Sequence, residues 1–153
     1  MIIANPDLHA IADRLALQDL LSAYCTAVDK LADMDGMLRI FTKDAVFDLS
    51  GIGLPSVVGH DGIRGFFEPV FENMTNHAHY WSNFCVDRLD GDEASVRALV
   101  TGMGIARDGN SVVVHVRYFL DCVRTTEGWK FKRFYEDAAM PLPKSLTEIH
   151  VPD

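Results

Sequence analysis

The chain has 153 residues, 48% apolar and 24% charged, which suits an ordinary globular protein with one core-forming domain spanning 1–153. A net charge of −8 excludes the basic footprint that nucleic acid requires and gives no attraction to anionic lipid. No apolar run reaches the roughly 20 residues of a spanning helix, MIIANPDLHA lacks the basic start and apolar core of a secretory leader, and three scattered cysteines (Cys25, Cys85, Cys122) without a CxxC pair point to reduced thiols in a cytoplasmic protein.

From Asp7, a capping residue after Pro6, to about Ala32 the spacing predicts a helix. Its broad apolar face carries Leu8, Ile11, Leu15, Leu17, Leu20, Leu21, Tyr24, Val28 and Leu31. A shorter helix follows, capped by Asp33 or Asp35 and burying Met37, Leu38, Ile40 and Phe41. TKDAVFDLSG is then a turn and a short strand, 45–49, and GIGLPSVVG, with three glycines and Pro55, is a loop. A third helix begins near Asp61, carries Ile63, Phe66, Phe67 and Val70, and is disturbed by Pro69 in its last turn. From His77 the pattern changes to four strand-like runs, roughly 77–88, 94–106, 111–124 and 129–136, divided by the turns DGDE, RDGN and TTEG. The runs exceed the common length of about 5–6 residues, so a curved, bulged sheet is expected, bending at Gly102 and Gly104 in TGMGI. The core covers 7–137; the tail, 138–153, includes Pro-rich PLPKSLTEIHVPD and is expected to be loosely attached or to pack on a neighbour. Helices followed by an antiparallel meander make an α+β protein, a cone-like curved sheet wrapped over the N-terminal helices, with an apolar interior suited to a small molecule.

The stretch NHAHYWSN sets His77, His79 and Trp81 on one strand face, and Ala78, Tyr80 and Ser82 on the other. An imidazole in such a run is a metal ligand, an acid/base group or a satisfied core histidine. His-Ala-His has no third ligand signalled by sequence, so no metal and no cofactor are expected. Asp29 stacks above Cys25 at i, i+4 beside Tyr24 and Val28, at the edge of the core; it either turns to water or accepts from a histidine across the cavity. His115 and Arg117 share a face with Val113 and Phe119, opposite Val114, Val116, Tyr118 and Leu120. If the second set packs on the helices, His115 and Arg117 face outward or into an oligomer interface. No nucleophile elbow, phosphate loop or dinucleotide fingerprint competes.

The order of these features resembles SnoaL-like proteins of the nuclear transport factor 2 fold, a group that includes scytalone dehydratase, polyketide cyclases and bile acid 7α-dehydratase. The resemblance rests on YCTAVDKLADMDGMLRIFTKDAVFD, GHDGIRGFF, HYWSNFCVDRLDGDEA and VRYFLDCVRTTEGWKFKRF, and covers about residues 7–137. It implies that His79 and Asn83, matching H-x-x-x-N, lie on the cavity side of the first long strand, and that Asp29, matching Y-x-x-x-x-D with Tyr24, is the partner of that histidine. One departure is ALVTGMG, where scytalone dehydratase has a second pocket histidine; His115, one strand further on, is the available substitute. The resulting expectation is a cofactor-independent lyase or isomerase using His79 as general acid/base, Asp29 as its orienting partner and Tyr24 as oxyanion donor on an apolar oxygenated ring compound. Val28, Phe47, Phe66, Phe67, Trp81, Asn83, His115 and Arg117 would contact that substrate. The alternative is a noncatalytic small-molecule-binding or assembly module of the same fold. Apolar residues on both strand faces, Val112, Val114 and Val116 against Val113 and Phe119, also lead us to expect a homo-oligomer, dimer or trimer, packed sheet to sheet.

Overall fold

The computed structural model describes residues 8–151, so Asp7, the expected first cap, lies outside the described residues. Helix α1 (Leu8–Lys30) buries Leu17, Leu20, Leu21, Tyr24, Cys25, Ala27 and Val28, all from Leu17 onward. Leu8, Ile11 and Leu15, expected on the buried face, are exposed. That end is held by polar contacts instead. The guanidinium of Arg124 donates to both carboxylate oxygens of Asp13 at 2.7 and 2.8 Å and stacks over Trp129 at 4.5 Å. Helix α2 (Met34–Arg39) is capped by Asp33, whose Oδ1 accepts from the Gly36 N–H at 2.9 Å. Phe41 opens the next strand and does not belong to this helix.

Six strands build the sheet: β1 (Phe41–Gly51), β2 (Ser56–Val58), β3 (Met74–Asp90), β4 (Glu93–Ala106), β5 (Ser111–Thr125) and β6 (Gly128–Ala138), in the spatial order β2-β1-β6-β5-β4-β3. Helix α3 (Gly59–Asn73) lies between β2 and β3 in the chain, with Pro69 inside it. The meander β3 to β6 is antiparallel as expected, but the sheet is larger and mixed. β1 runs parallel to β6, with Phe47 opposite Phe134 and Asp48 opposite Tyr135, and β2, expected as loop, pairs antiparallel on its far side. Ala45, Phe47 and Leu49 all point inward from β1, which gives that strand an apolar face worth burying.

The meander is irregular where one strand carries an extra residue. β3 shifts register between Ser82 and Cys85, with Asn83 in a left-handed conformation (φ 53°), and β6 shifts between Phe131 and Arg133 opposite Asp121 and Cys122. The rings of Tyr24, Phe47, Tyr118 and Phe134 meet beneath the concave face; Tyr24 and Phe134 are 4.6 Å apart, Tyr118 and Phe134 4.7 Å. The tail is not loose. Helix α4 (Ser145–His150) buries Leu146 and Ile149 against its own chain. Among the described residues no helix is long and apolar enough to cross a membrane.

Candidate active site

The C-terminal turn of α1 meets the start of β3, so Asp29 faces His79 across 50 residues of sequence. Its Oδ1 lies 2.6 Å from His79 Nδ1, and its Oδ2 accepts the His79 backbone N–H at 3.1 Å. A carboxylate can only accept, so the ring proton sits on Nδ1 and the Nε2 lone pair is left free. One carboxylate thus holds both the ring and the strand that carries it. The Nε2 edge lies across Gly102, where an added Cβ would come within 3.2 Å of Nε2 and Cδ2. In the same register His77 lies opposite Gly104, where a Cβ would be 2.8 Å from the ring. These glycines make room for two imidazoles; the register breaks of this strand pair lie on β3, not at the glycines expected to bend it.

His79 lines a pocket walled by α1, α3, α4 and the inward faces of β1 and β3 through β6 and partly open to solvent. Tyr24, Val28, Phe47, Phe66 and Phe67 line it too, as does the inward side of β5 through Val112, Val114, Val116 and Tyr118. The polar groups are few. Tyr24 is buried and hydrogen-bonded to Tyr118; burial, with Glu136 and Cys25 nearby, pushes its phenol well above the usual range. His77 is held down to about 4, first by burial and then by His79 and His150, so it is neutral; it also leans on the Val28 carbonyl. Its Nδ1 is buried without a partner. His150, from the tail, is likewise held low by burial, with its Nδ1 2.9 Å from the Leu146 carbonyl.

Sequence reasoning missed Glu136. It is the buried charged side chain among the described residues, 6% exposed, and it lines the cavity. Burial pushes its carboxyl up to about 8, with the Tyr118 hydrogen bond pulling the other way, so it is protonated at neutral pH. Simple alternation from Trp129 and Phe131 sends Glu136 outward. The bulge at Lys132 reverses the parity and turns Phe134 and Glu136 inward. The visible signal was two large apolar residues three positions apart in one strand.

Four expected substrate contacts lie elsewhere. Trp81 shares the inward parity of His79 but lies beyond the cavity, its Nε1 donating to Ser22 on α1 at 2.9 Å. Asn83 sits in the bulge and joins Arg117 and Phe119 in a depression on the other face of the sheet. His115 is exposed there, 3.1 Å from Thr101, and Arg117 donates to Asp137 at 2.6 Å. Because Val114, Val116 and Tyr118 face inward, the residues between them cannot.

The third ligand atom that sequence spacing did not signal is Asp29: ligand atoms of Asp29, His77 and His79 lie within 4.8 Å of one another. The group is large enough for a metal ion to be considered. The 2.6 Å contact between Asp29 and His79 Nδ1 is that of a charge-assisted hydrogen bond, which commits that ring nitrogen to the carboxylate and leaves Nε2 as the other donor atom of the ring.

The model of the SnoaL-like domain matches residues 9–135. A solved structure from Novosphingobium aromaticivorans, provisionally described as an aromatic ring hydroxylase, is 56% identical and superposes with a TM-score of 0.86 over 87% of this chain and 93% of that one. An uncharacterized protein of Mycobacterium tuberculosis is 37% identical over 132 residues, 82% of this chain and 85% of that protein. The gamma-hexachlorocyclohexane dehydrochlorinase of Sphingobium indicum is 29% identical over 129 residues, 83% of this chain and 81% of the enzyme. With α1 through β6 matched to the domain and the mixed sheet closing over the N-terminal helices, the chain belongs to the SnoaL-like family, within the nuclear transport factor 2 fold.

Proposed function

We propose that this protein is a cofactor-independent lyase or isomerase that moves a proton on an apolar, oxygenated ring compound, with His79 as general acid/base and Asp29 as its orienting partner. The observation that carries the reading is the 2.6 Å contact from Asp29 to His79 Nδ1, with Nε2 turned to the cavity. The carboxylate fixes the tautomer and stabilises the imidazolium formed when Nε2 takes a proton from carbon. The neutral phenol of Tyr24 donates a hydrogen bond toward the enolate oxygen that develops, and apolar walls from Phe47, Phe66 and Phe67 exclude water. His77, neutral and with Nδ1 unpartnered, offers an acceptor for a substrate hydroxyl.

The family relationship supports this class. One relative is named for dehydrochlorination, an elimination. A noncatalytic binding module does not require a carboxylate committed through both oxygens to a cavity histidine, which is the arrangement of Asp29 and His79. The test is a thermal-shift screen with fused-ring ketones and phenols, followed by proton exchange of each hit in D₂O. Wild-type protein is expected to accelerate exchange next to the carbonyl, and His79→Ala to abolish it. A hit bound equally well by both and exchanged by neither would identify a binding module.

A further inference from the structure

Glu136 takes no part in the dyad, yet it is joined through one residue to Tyr24. It stands directly opposite Tyr118 across β5 and β6, and its carboxyl is hydrogen-bonded to the Tyr118 hydroxyl. That hydroxyl is bonded in turn to Tyr24, which comes from α1. All three side chains are buried and line the cavity. Phe134 holds the two phenols together, its ring 4.6 Å from that of Tyr24 and 4.7 Å from that of Tyr118. We infer that Glu136 is a positioning residue: its proton sets the direction of this hydroxyl chain so that Tyr24 donates into the cavity, and loss of that proton turns the chain round and withdraws the donor. The inference rests on the reading of Tyr24 as donor to a substrate oxygen.

The direction follows from counting protons. With Glu136 protonated the chain holds three O–H groups and two internal hydrogen bonds, so one O–H is left over for a ligand. A ketone oxygen beside Tyr24 claims it: Glu136 donates to Tyr118, Tyr118 to Tyr24, and Tyr24 to the ketone. An ionised Glu136 can only accept, and a buried carboxylate is costly unless it is hydrogen-bonded. Tyr118 then donates to Glu136 and Tyr24 to Tyr118. Both remaining protons are used inside the chain, and Tyr24 has only lone pairs to offer. Burial pushes Glu136 up to about 8, so the donating direction holds at neutral pH. Glu136→Gln keeps an N–H donor toward Tyr118 at every pH and so locks that direction.

Two ligands that differ at one oxygen test this by calorimetry: 1-tetralone, which can only accept a hydrogen bond, and 1-tetralol, which can also donate one. Wild-type affinity for the ketone is expected to fall about tenfold as pH rises through about 8, the effect of one lost hydrogen bond. Affinity for the alcohol should change less than about threefold, because the alcohol can donate to the reversed chain. Glu136→Gln should keep the ketone affinity of wild type at neutral pH and lose the alkaline fall. Tyr24→Phe should bind the ketone weakly at every pH, again without the fall, while Tyr118 stays beside Glu136. A fall that persists in Tyr24→Phe means that Glu136 repels the ligand directly, and overturns the chain. A fall that persists in Glu136→Gln, ketone affinity lost by that variant at neutral pH, equal falls for both ligands, or a flat wild-type profile does the same. Binding of neither ligand by wild type overturns the chain together with the donor reading of Tyr24.

The groups around Glu136 leave that pH window to it. Tyr118 from β5 and Tyr24 and Cys25 from α1 face it, the phenols raised well above their usual range and the thiol to about 12. β1, α3 and β4 present only apolar side chains and Gly102 to the same space. His77 from β3 and His150 from α4 are held on the acid side, and the pair of His79 and Asp29 is common to wild type and both variants. Proton exchange of 1-tetralone in D₂O keeps the chain apart from the base. His79→Ala should lose exchange and retain the alkaline fall in ketone affinity. Undiminished exchange by His79→Ala overturns the base reading and leaves the chain standing, whereas a fall that disappears with His79 assigns the profile to the dyad and overturns the chain.

Discussion

A histidine gripped at both its ring and its backbone by one carboxylate responds to substitution in a characteristic way. Asp29→Asn keeps a hydrogen-bonding group but removes the charge behind the imidazolium, so turnover should fall by about 10²–10⁴-fold with the fold retained. His79→Ala should be at least as damaging, and the double variant little worse, because the two residues act as one unit. A purely structural pair would instead cost about 1–3 kcal/mol of stability and leave activity per folded molecule unchanged. Turnover and melting temperature on the same preparations separate the outcomes. Glu136 makes a second, independent prediction about stability. Its folded value, about 8, lies above its ordinary 4.5, so the folded state holds the extra proton between these values. The stabilisation is full below 4.5 and is lost as pH rises through about 8. Glu136→Gln should therefore abolish an alkaline decline worth on the order of a few kcal/mol in urea melts. The acid limb has the opposite sign and should persist in that variant. His77, at about 4 against an ordinary 6.5, stabilises fully above 6.5 and loses that as pH falls toward 4. How legible these residues were depended on parity. His79 and Asp29 could be read from helix and strand periodicity with the family pattern, whereas Glu136 stood behind a bulge that alternation does not reveal.

Among the elements, those built on local periodicity were readable and those built on distant pairing were not. α1, α3 and the meander announce themselves through apolar spacing and Gly-containing turns. The β1 to β6 pairing joins Phe47 to Phe134 with no turn between them, so no local signal exists for it. The tail was obscured by its prolines, although Leu146 and Ile149, three apart, mark the buried side of α4. Leu146 is 4% exposed and borders the cavity, so Leu146→Ala should cost about 2–4 kcal/mol through lost burial and a residual void. It should also weaken binding of fused-ring phenols by loosening the helix that covers them. Parallel urea melts and fluorescence titrations would show whether both effects occur; a stability loss with unchanged phenol affinity would remove α4 from the binding site.

At the scale of the whole molecule, the second face of the sheet is the open question of assembly. It exposes Tyr80, Ile105 and Val113 at 64, 44 and 48%, near Leu99, although burying apolar surface is what normally stabilises a small domain. A homo-oligomer packed on this face is the expected outcome in sedimentation at micromolar concentration, and a monomer there would contradict it. Elemental analysis of the purified protein should find no stoichiometric zinc or iron at Asp29, His77 and His79. A full equivalent of either metal would replace acid/base chemistry with metal chemistry at the same residues.

The parallel pairing of β1 and β6 has a consequence in time as well as in space. Phe47 waits for Phe134, 87 positions later, before its strand has a neighbour on that side, whereas each hairpin of the meander closes over a few residues. The wall of the cavity that carries Phe47 is thus a late, non-local contact, while the hairpins holding His79 and Glu136 are local. During refolding the strand signal should rise ahead of the capacity to bind an aromatic ligand, because a chain with its meander formed but β1 undocked has His79 and Glu136 on their strands and no enclosure around them.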